Sequence, residues 1–221
     1  MAYGKPMSAE SASELVLPEL TESQLNRLHQ LITERINNIP LAHITGRQKF
    51  MGIDFICDGR ALIPRKETEI LGRKAIEISF QLSRKDNIVD NNIIVIDVCC
   101  GAGNLGLAIA INNPETIVHA TDISQEAVEL TRENISFLHL GQRVTATQGD
   151  LFSSVENDNF LSRTNLIVCN PPYISSGKVK AMNPEILGKE PVLAFDGGMF
   201  GTKIIQKLIT EAPKFLISSG W

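Results

Sequence analysis

The chain reads as an α/β protein built on a doubly wound, mostly parallel sheet. Three observations predict it. Short apolar runs of strand length recur at Ile93–Val98, Thr116–Thr121, Arg143–Gln148 and Asn165–Cys169, each bounded by Gly, Pro, Asn or Asp. Segments of helical period lie between them, which is the βαβ alternation of a parallel sheet. Turn residues rich in Gly, Asp and Asn follow the strands, where open sheets of this kind place ligands.

The composition agrees with an ordinary globular protein. Of 221 residues, 43% are hydrophobic and 21% charged, and the mean hydropathy is +0.02. A net charge of −4 gives no overall basic field to attract nucleic acid. No apolar run approaches the roughly 20 residues of a membrane span, and the N-terminus lacks a signal-peptide core. Cys57, Cys99, Cys100 and Cys169 form no C-x-x-C pair and no zinc spacing. They are read as reduced thiols of a cytoplasmic protein.

In chain order, residues 1–20 are polar and read as a mobile lead-in. Thr21 and Gln24 have capping-box spacing. Leu25, Leu28, Leu31, Ile32 and Ile36 then follow at helical intervals, predicting an amphipathic helix that Pro40 ends. From His43 to Asp58, Gly46 and Gly52 punctuate Phe50, Ile53 and Phe55, which predicts a hairpin or extended connector. Residues 21–60 are therefore a helix-and-hairpin linker, and 61–221 the main domain. Pro64 starts or precedes a helix facing inward with Leu71, Ala75, Ile78 and Leu82. Glu67 and Glu69 fall near its start, where the helix dipole favours acids. In the sheet region, Leu105–Ile111 is helical and stops before Pro114, and Ser124 caps a helix to about His139. Lys203–Ala212 is a last helix with Ile204, Ile205, Leu208 and Ile209 inward.

Two stretches carry the chemistry. After the first strand, Asp97-Val-Cys-Cys-Gly-Ala-Gly103 supplies glycines that permit a tight turn and a close ligand approach. Asp122 ends the second strand, where a carboxylate can accept from two ribose hydroxyls, and Asp150 ends the third, where one can accept from an adenine amine. Each acid alone is equally a turn residue; their recurrence at successive strand ends beside a Gly loop argues for a ligand. After the fourth strand comes Asn170-Pro-Pro-Tyr173. Two prolines fix consecutive φ angles and remove two donors. The stiff turn offers the Asn170 side-chain oxygen and the Pro171 carbonyl to a planar group bearing NH2, with Tyr173 to pack on its plane. A proline-terminated strand with a surface Tyr is the plainer alternative.

Together these stretches resemble the class I S-adenosylmethionine-dependent methyltransferases, which have a Rossmann-like sheet. Pro40-Leu-Ala-His-Ile-Thr-Gly46, Leu62-Ile-Pro-Arg65, Glu67-Thr-Glu69 and Leu193-Ala-Phe-Asp-Gly-Gly198 narrow the resemblance to the protein-glutamine methyltransferases of peptide release factors. It covers about residues 21–221. It implies S-adenosyl-L-methionine as cofactor, S-adenosylhomocysteine as product, and a glutamine-bearing protein such as a release factor as partner. It implies cofactor contacts from Asp97, Cys99, Cys100, Gly101, Ala102, Gly103, Asp122, Ile123, Asp150, Leu151 and Asn170, with Arg65, Glu67 and Thr68. Catalysis is implied at Asn170, Pro171, Pro172 and Tyr173, with no metal. The chain departs from the family pattern at Cys99 and Cys100 in the Gly loop, at His43 and at Lys66. Its N-terminal helical region is shorter, and it stops at Trp221 where a fifth strand would begin, so later strands are expected to be missing. An adenine amine, a small amide metabolite and a non-catalytic cofactor-binding module are the rival readings.

Overall fold

The structure is a computed structural model that describes residues 6–15, 19–84, 92–157, 159–182 and 188–221. Four parallel strands form the central sheet: β3 (Ile93–Val98), β4 (Thr116–Asp122), β5 (Val144–Gln148) and β6 (Leu166–Cys169), in the order β5-β4-β3-β6. β3 lies between β4 and β6, so the chain reverses its direction of winding beside it. That crevice is where doubly wound sheets bind ligands.

Both faces of β3 are covered, which explains its unbroken apolar run. Ile93 and Val95 pack with α4 (Thr68–Ser83), α5 (Asn104–Asn112) and α6 (Gln125–Phe137). Ile96 and Val98 face the opposite way, onto Phe152, Phe160 and Phe215. Phe152 and Phe215 stack with ring centroids 4.5 Å apart. After the short α7 (Ser176–Val179), α8 (Lys203–Glu211) closes that second layer with Ile204 and Leu208. Beyond β6, Ile167 donates to the Trp221 carbonyl (2.8 Å) and Trp221 donates to that of Asn165 (3.1 Å).

The N-terminal region departs from expectation in instructive ways. α1 (Ala9–Ser13) occupies part of the supposed mobile lead-in; Ser8 is buried, and Ser11 Oγ donates to Asp54 at 2.9 Å. Residues 1–5 and 16–18 of that lead-in lie outside the described residues. α2 (Glu22–Ile36) has the predicted capping box at Thr21 and Gln24. Of its apolar stripe only Leu31 is buried, while Ile32 and Ile36 are 46% and 74% exposed. The period fixed the helix, but the bodies it meets are too few to cover its face. The helix ends at Ile36, ahead of Pro40, because Asn38 takes a left-handed φ of 61°. Pro40 instead precedes α3 (Leu41–Thr45). β1 (Arg47–Phe50) and β2 (Ile53–Ile56) form the hairpin. Its two-residue turn has positive φ at both Met51 and Gly52, as the twist of a tight hairpin requires. Glu69 Oε1 accepts the Met51 N–H at 3.0 Å, tying that turn to α4. In α4, Leu71 is 37% exposed rather than inward, and Gly72 and Ser79 share the buried face. In α8, Ile209 points outward, 66% exposed. Among the described residues no helix is long and apolar enough to cross a membrane.

Asn134 of α6 joins the hairpin to the sheet domain. Its fully buried side chain accepts the Ile56 N–H (2.7 Å) and donates to the carbonyls of Ile56 (3.1 Å) and Ala102 (3.0 Å). Orphaning buried backbone groups costs about 1–3 kcal/mol each. Asn134→Ala is therefore expected to lower unfolding free energy by about 2–4 kcal/mol. Urea titration reads this as a fall in midpoint, and a variant within error of the parent would remove Asn134 from this role.

Candidate active site

The cavity opens at the carboxyl ends of β3, β4 and β6. Its floor is the loop after β3, where Cys99, Gly101 and Gly103 all have positive φ, at 56°, 56° and 78°. The Gly101 N–H donates to Asp122 Oδ2 (2.9 Å) and the Ser124 N–H to Asp122 Oδ1 (3.0 Å). Asp122 thus braces two loops while facing the cavity. A carboxylate has about four acceptor sites, so these bonds leave acceptor capacity for a ligand. Burial pushes its carboxyl above the ordinary range.

Asp97 does not reach the cavity wall, contrary to the contact the resemblance implied. It lies on the α5 side of β3, 1% exposed, and Oδ2 accepts the Gly106 N–H at 2.8 Å. A Cβ on Gly106 would stand 2.9 Å from that oxygen, so glycine is needed for the approach. Oδ1 has no partner among the described residues. Burial pushes the Asp97 carboxyl up to about 7, opposed by the Gly106 N–H and helped by nearby Asp122. The carboxyl shapes the loop from behind.

Most other expected residues meet on the wall: Cys99, Cys100, Gly101, Ala102, Asp122, Ile123, Asp150, Leu151, Arg65, Thr68, Asn170 and Pro172. Gly103 instead starts α5, Glu67 is exposed ahead of α4, and Pro171 lies outside the lining. Tyr173 is 63% exposed and also off the wall, so its ring does not cover the cavity as expected. Asp150 divides its interactions, because Lys207 Nζ of α8 donates to Oδ2 at 2.5 Å. Leu151 is buried with φ 53°, and its carbonyl accepts from Thr121 Oγ1 at 2.8 Å.

The register Val98↔Cys169 sets Asn170 beside Cys99. The Asn170 side chain makes no hydrogen bond to another described residue, yet it lines the cavity. The opposite lip comes from Leu62, Pro64 and Arg65, and from Pro191, Leu193 and Ala194. Glu190 fastens the two parts. Its side chain is 1% exposed, with Oε1 at 2.6 Å from Arg65 and Oε2 accepting the Ile63 N–H at 2.8 Å. Sequence reasoning missed Glu190. The local signal is an acid between Lys189 and Pro191, ahead of the apolar Val192-Leu-Ala-Phe195, and its partners lie more than 120 positions upstream. His43 and Cys57 lie near the same acid: burial lowers the His43 pKa and pushes the Cys57 thiol up to about 12.

A family model described as "methyltransferase small domain" matches residues 85–199. A release factor glutamine methyltransferase of Thermodesulfovibrio yellowstonii is 33% identical over 92% of this chain and 69% of its own length. The chain belongs to the release factor glutamine methyltransferase family. A member from Chlamydia trachomatis is 31% identical over 97% of this chain and 69% of its own length. A ribosomal protein uL3 glutamine methyltransferase of Bradyrhizobium diazoefficiens is 32% identical over 89% and 59%. The chain thus spans about two thirds of the length of these relatives. Among solved structures, the hMettl16 catalytic domain in complex with MAT2A 3'UTR hairpin 1 superposes with a TM-score of 0.54. It has 16% identity over 71% of this chain and 56% of that chain, and it speaks to the fold alone.

The methyl donor of such a methyltransferase is S-adenosylmethionine, and the cavity suits it. About 1050 Å³ is free of atoms, counting the open mouth. The glycine loop admits a close backbone approach, Asp122 retains acceptor capacity, and Ile123, Ala127 and Leu151 give an apolar wall for a flat ring. Asp122→Ala is expected to weaken S-adenosylhomocysteine binding by about 1.5–3 kcal/mol, the range for hydrogen bonds to a charged group. Calorimetry on a folded variant with parental affinity would contradict it.

Asp97 also makes stability depend on pH. Its folded pKa of about 7 lies above the ordinary 3.8. The native state therefore holds a proton that the unfolded chain releases. The resulting stabilisation is complete below about pH 4 and is lost as pH rises through about 7. Asp97→Asn keeps an acceptor for Gly106 and removes the titration. Its unfolding midpoint should rise relative to the parent between these two pH values. Parallel pH profiles would show that Asp97 does not titrate in this window.

Proposed function

We propose that this chain transfers the methyl group of S-adenosylmethionine to the side-chain amide nitrogen of a glutamine in a protein, of which a peptide release factor or a ribosomal protein is the kind its relatives' names specify. The observation that carries this reading is the Asn170 side chain, unpaired with any described residue, on the wall of the cavity beside the glycine loop. Bound there, S-adenosylmethionine supplies an electrophilic methyl group.

The chain's own residues do the rest. An amide nitrogen is a poor nucleophile because its lone pair is delocalised over the carbonyl. Asn170 Oδ1, on the cavity wall, accepts one N–H of the incoming amide, which orients it and favours charge developing on nitrogen. Pro171 and Pro172 stiffen the turn that holds this acceptor and add no competing N–H donors. The apolar lip of Pro64, Pro191 and Leu193 excludes water around the amide. Arg65, already paired with Glu190, lines the cavity, and its remaining guanidinium N–H donors would hold the cofactor's carboxylate.

Labelled S-adenosylmethionine incubated with a release factor, and with the same protein lacking its acceptor glutamine, tests the reading directly. Label should enter only the first. Asn170→Ala should leave S-adenosylhomocysteine affinity near parental and reduce methyl transfer by about 100-fold or more, the usual worth of one oriented acceptor. Transfer at the parental rate by Asn170→Ala would exclude this turn as the catalytic centre. Label entering an adenine or a small amide in preference to the protein would replace the proposed acceptor.

A further inference from the structure

The segment after the catalytic turn folds back on it and locks there. The Ile174 N–H donates to the Phe195 carbonyl (2.9 Å), the Gly197 N–H to the Ile174 carbonyl (2.9 Å) and the Ser176 N–H to the Gly198 carbonyl (3.0 Å). Ser176 Oγ donates to Asp196 Oδ1 at 2.7 Å. The backbones are in direct contact. A Cβ on Gly197 would stand 2.7 Å from the Pro172 carbonyl oxygen, and one on Gly201 would overlap that of Tyr173. Gly198 and Gly201 have φ of 86° and 75°, and the Gly201 N–H closes the turn on the Gly198 carbonyl (3.1 Å).

This rigid turn carries Met199 and Phe200 at its tip, 78% and 82% exposed. Turn positions ordinarily hold polar residues. Here two large apolar side chains are held in water by a backbone that has no freedom to withdraw them. Tyr173, 63% exposed, is in backbone contact with this turn, and Leu193, 51% exposed, stands on the cavity lip. Large exposed apolar side chains grouped in this way mark a contact site.

We propose that Met199 and Phe200 form a docking ledge for the polypeptide that flanks the acceptor glutamine, seating an apolar side chain of that segment. The inference rests on the protein-glutamine reading above. The occupant follows from continuity. The ledge is fixed backbone to backbone against Pro172 and Tyr173, so a chain delivering a side chain to Asn170 crosses it. A free small amide reaching the same site does not.

The test uses the double variant Met199→Ser/Phe200→Ser, with a release factor and a blocked single glutamine as alternative acceptors. The ledge predicts a KM for the protein acceptor raised at least about tenfold, as for loss of an interface anchor. It also predicts an unchanged kcat, unchanged S-adenosylhomocysteine affinity and equal turnover of the blocked glutamine. Met199→Leu/Phe200→Leu should restore the parental KM. An unchanged KM in the serine variant overturns the ledge and leaves the glutamine reading standing. A fall in kcat and cofactor affinity together with KM assigns these residues a structural role and overturns it. Sedimentation showing a parental dimer dispersed by the serine variant, with KM unchanged, assigns the ledge to a second copy and overturns it. If the parental protein labels no glutamine in any protein, the previous reading falls and this inference falls with it.

Discussion

One carboxamide determines where the N-terminal hairpin lies against the cofactor loop. The outer edge of β2 enters the protein with peptide groups that no strand pairs, and Asn134 takes both groups of Ile56 while also gripping Ala102. Leaving those buried peptide groups unpaired would cost about 1–3 kcal/mol each. With that edge fixed, the chain leaving β2 has one course. Ala61 packs on Ala102, Ala127 and Leu130, and the following residues arrive as the far lip of the cavity. The hairpin therefore belongs to the site as much as to the fold.

The same economy governs Glu190. A buried carboxylate is tolerated where its charge is matched and its oxygens are occupied, and here one oxygen meets Arg65 and the other a peptide N–H. Residues on either side of it, Pro64 and Pro191, contribute rigid walls. Loss of either charged partner leaves the other uncompensated in the interior. Among the described residues, Glu190 ties the two lips together through both of its carboxylate oxygens.

What the sequence disclosed follows from locality. β3 to β6, the capping box of α2 and the Ser124 cap of α6 were legible within a residue or two, because apolar period and capping chemistry are written within a few positions. The two acids Asp97 and Asp122 looked alike, since both end strands beside loops. Their division of labour depends on which face of the sheet each occupies: Asp97 shares the face of Ile93 and Val95, under α5, whereas Asp122 turns into the crevice. Burial of amphipathic faces was likewise overestimated. α2 and α8 have the right period, yet Ile36 and Ile209 are exposed because periodicity says which residues share a face and nothing of how much partner surface exists. Glu190 stayed hidden because its meaning lies in a contact across most of the chain.

Cys99 and Leu151 are non-glycine residues held at left-handed φ, 56° and 53°, on the wall of the same cavity. Such backbone costs on the order of 1–3 kcal/mol each where a side chain is present. Part of the backbone strain among the described residues therefore sits on the cavity wall. Evolution toward heat tolerance has an accessible route here, since a glycine at either position relieves the conformation. It is also the route that loosens the walls of the crevice, because glycine widens the unfolded ensemble and the local range of motion alike. Stabilising substitutions on the exposed faces of α2 and α8 leave that wall untouched.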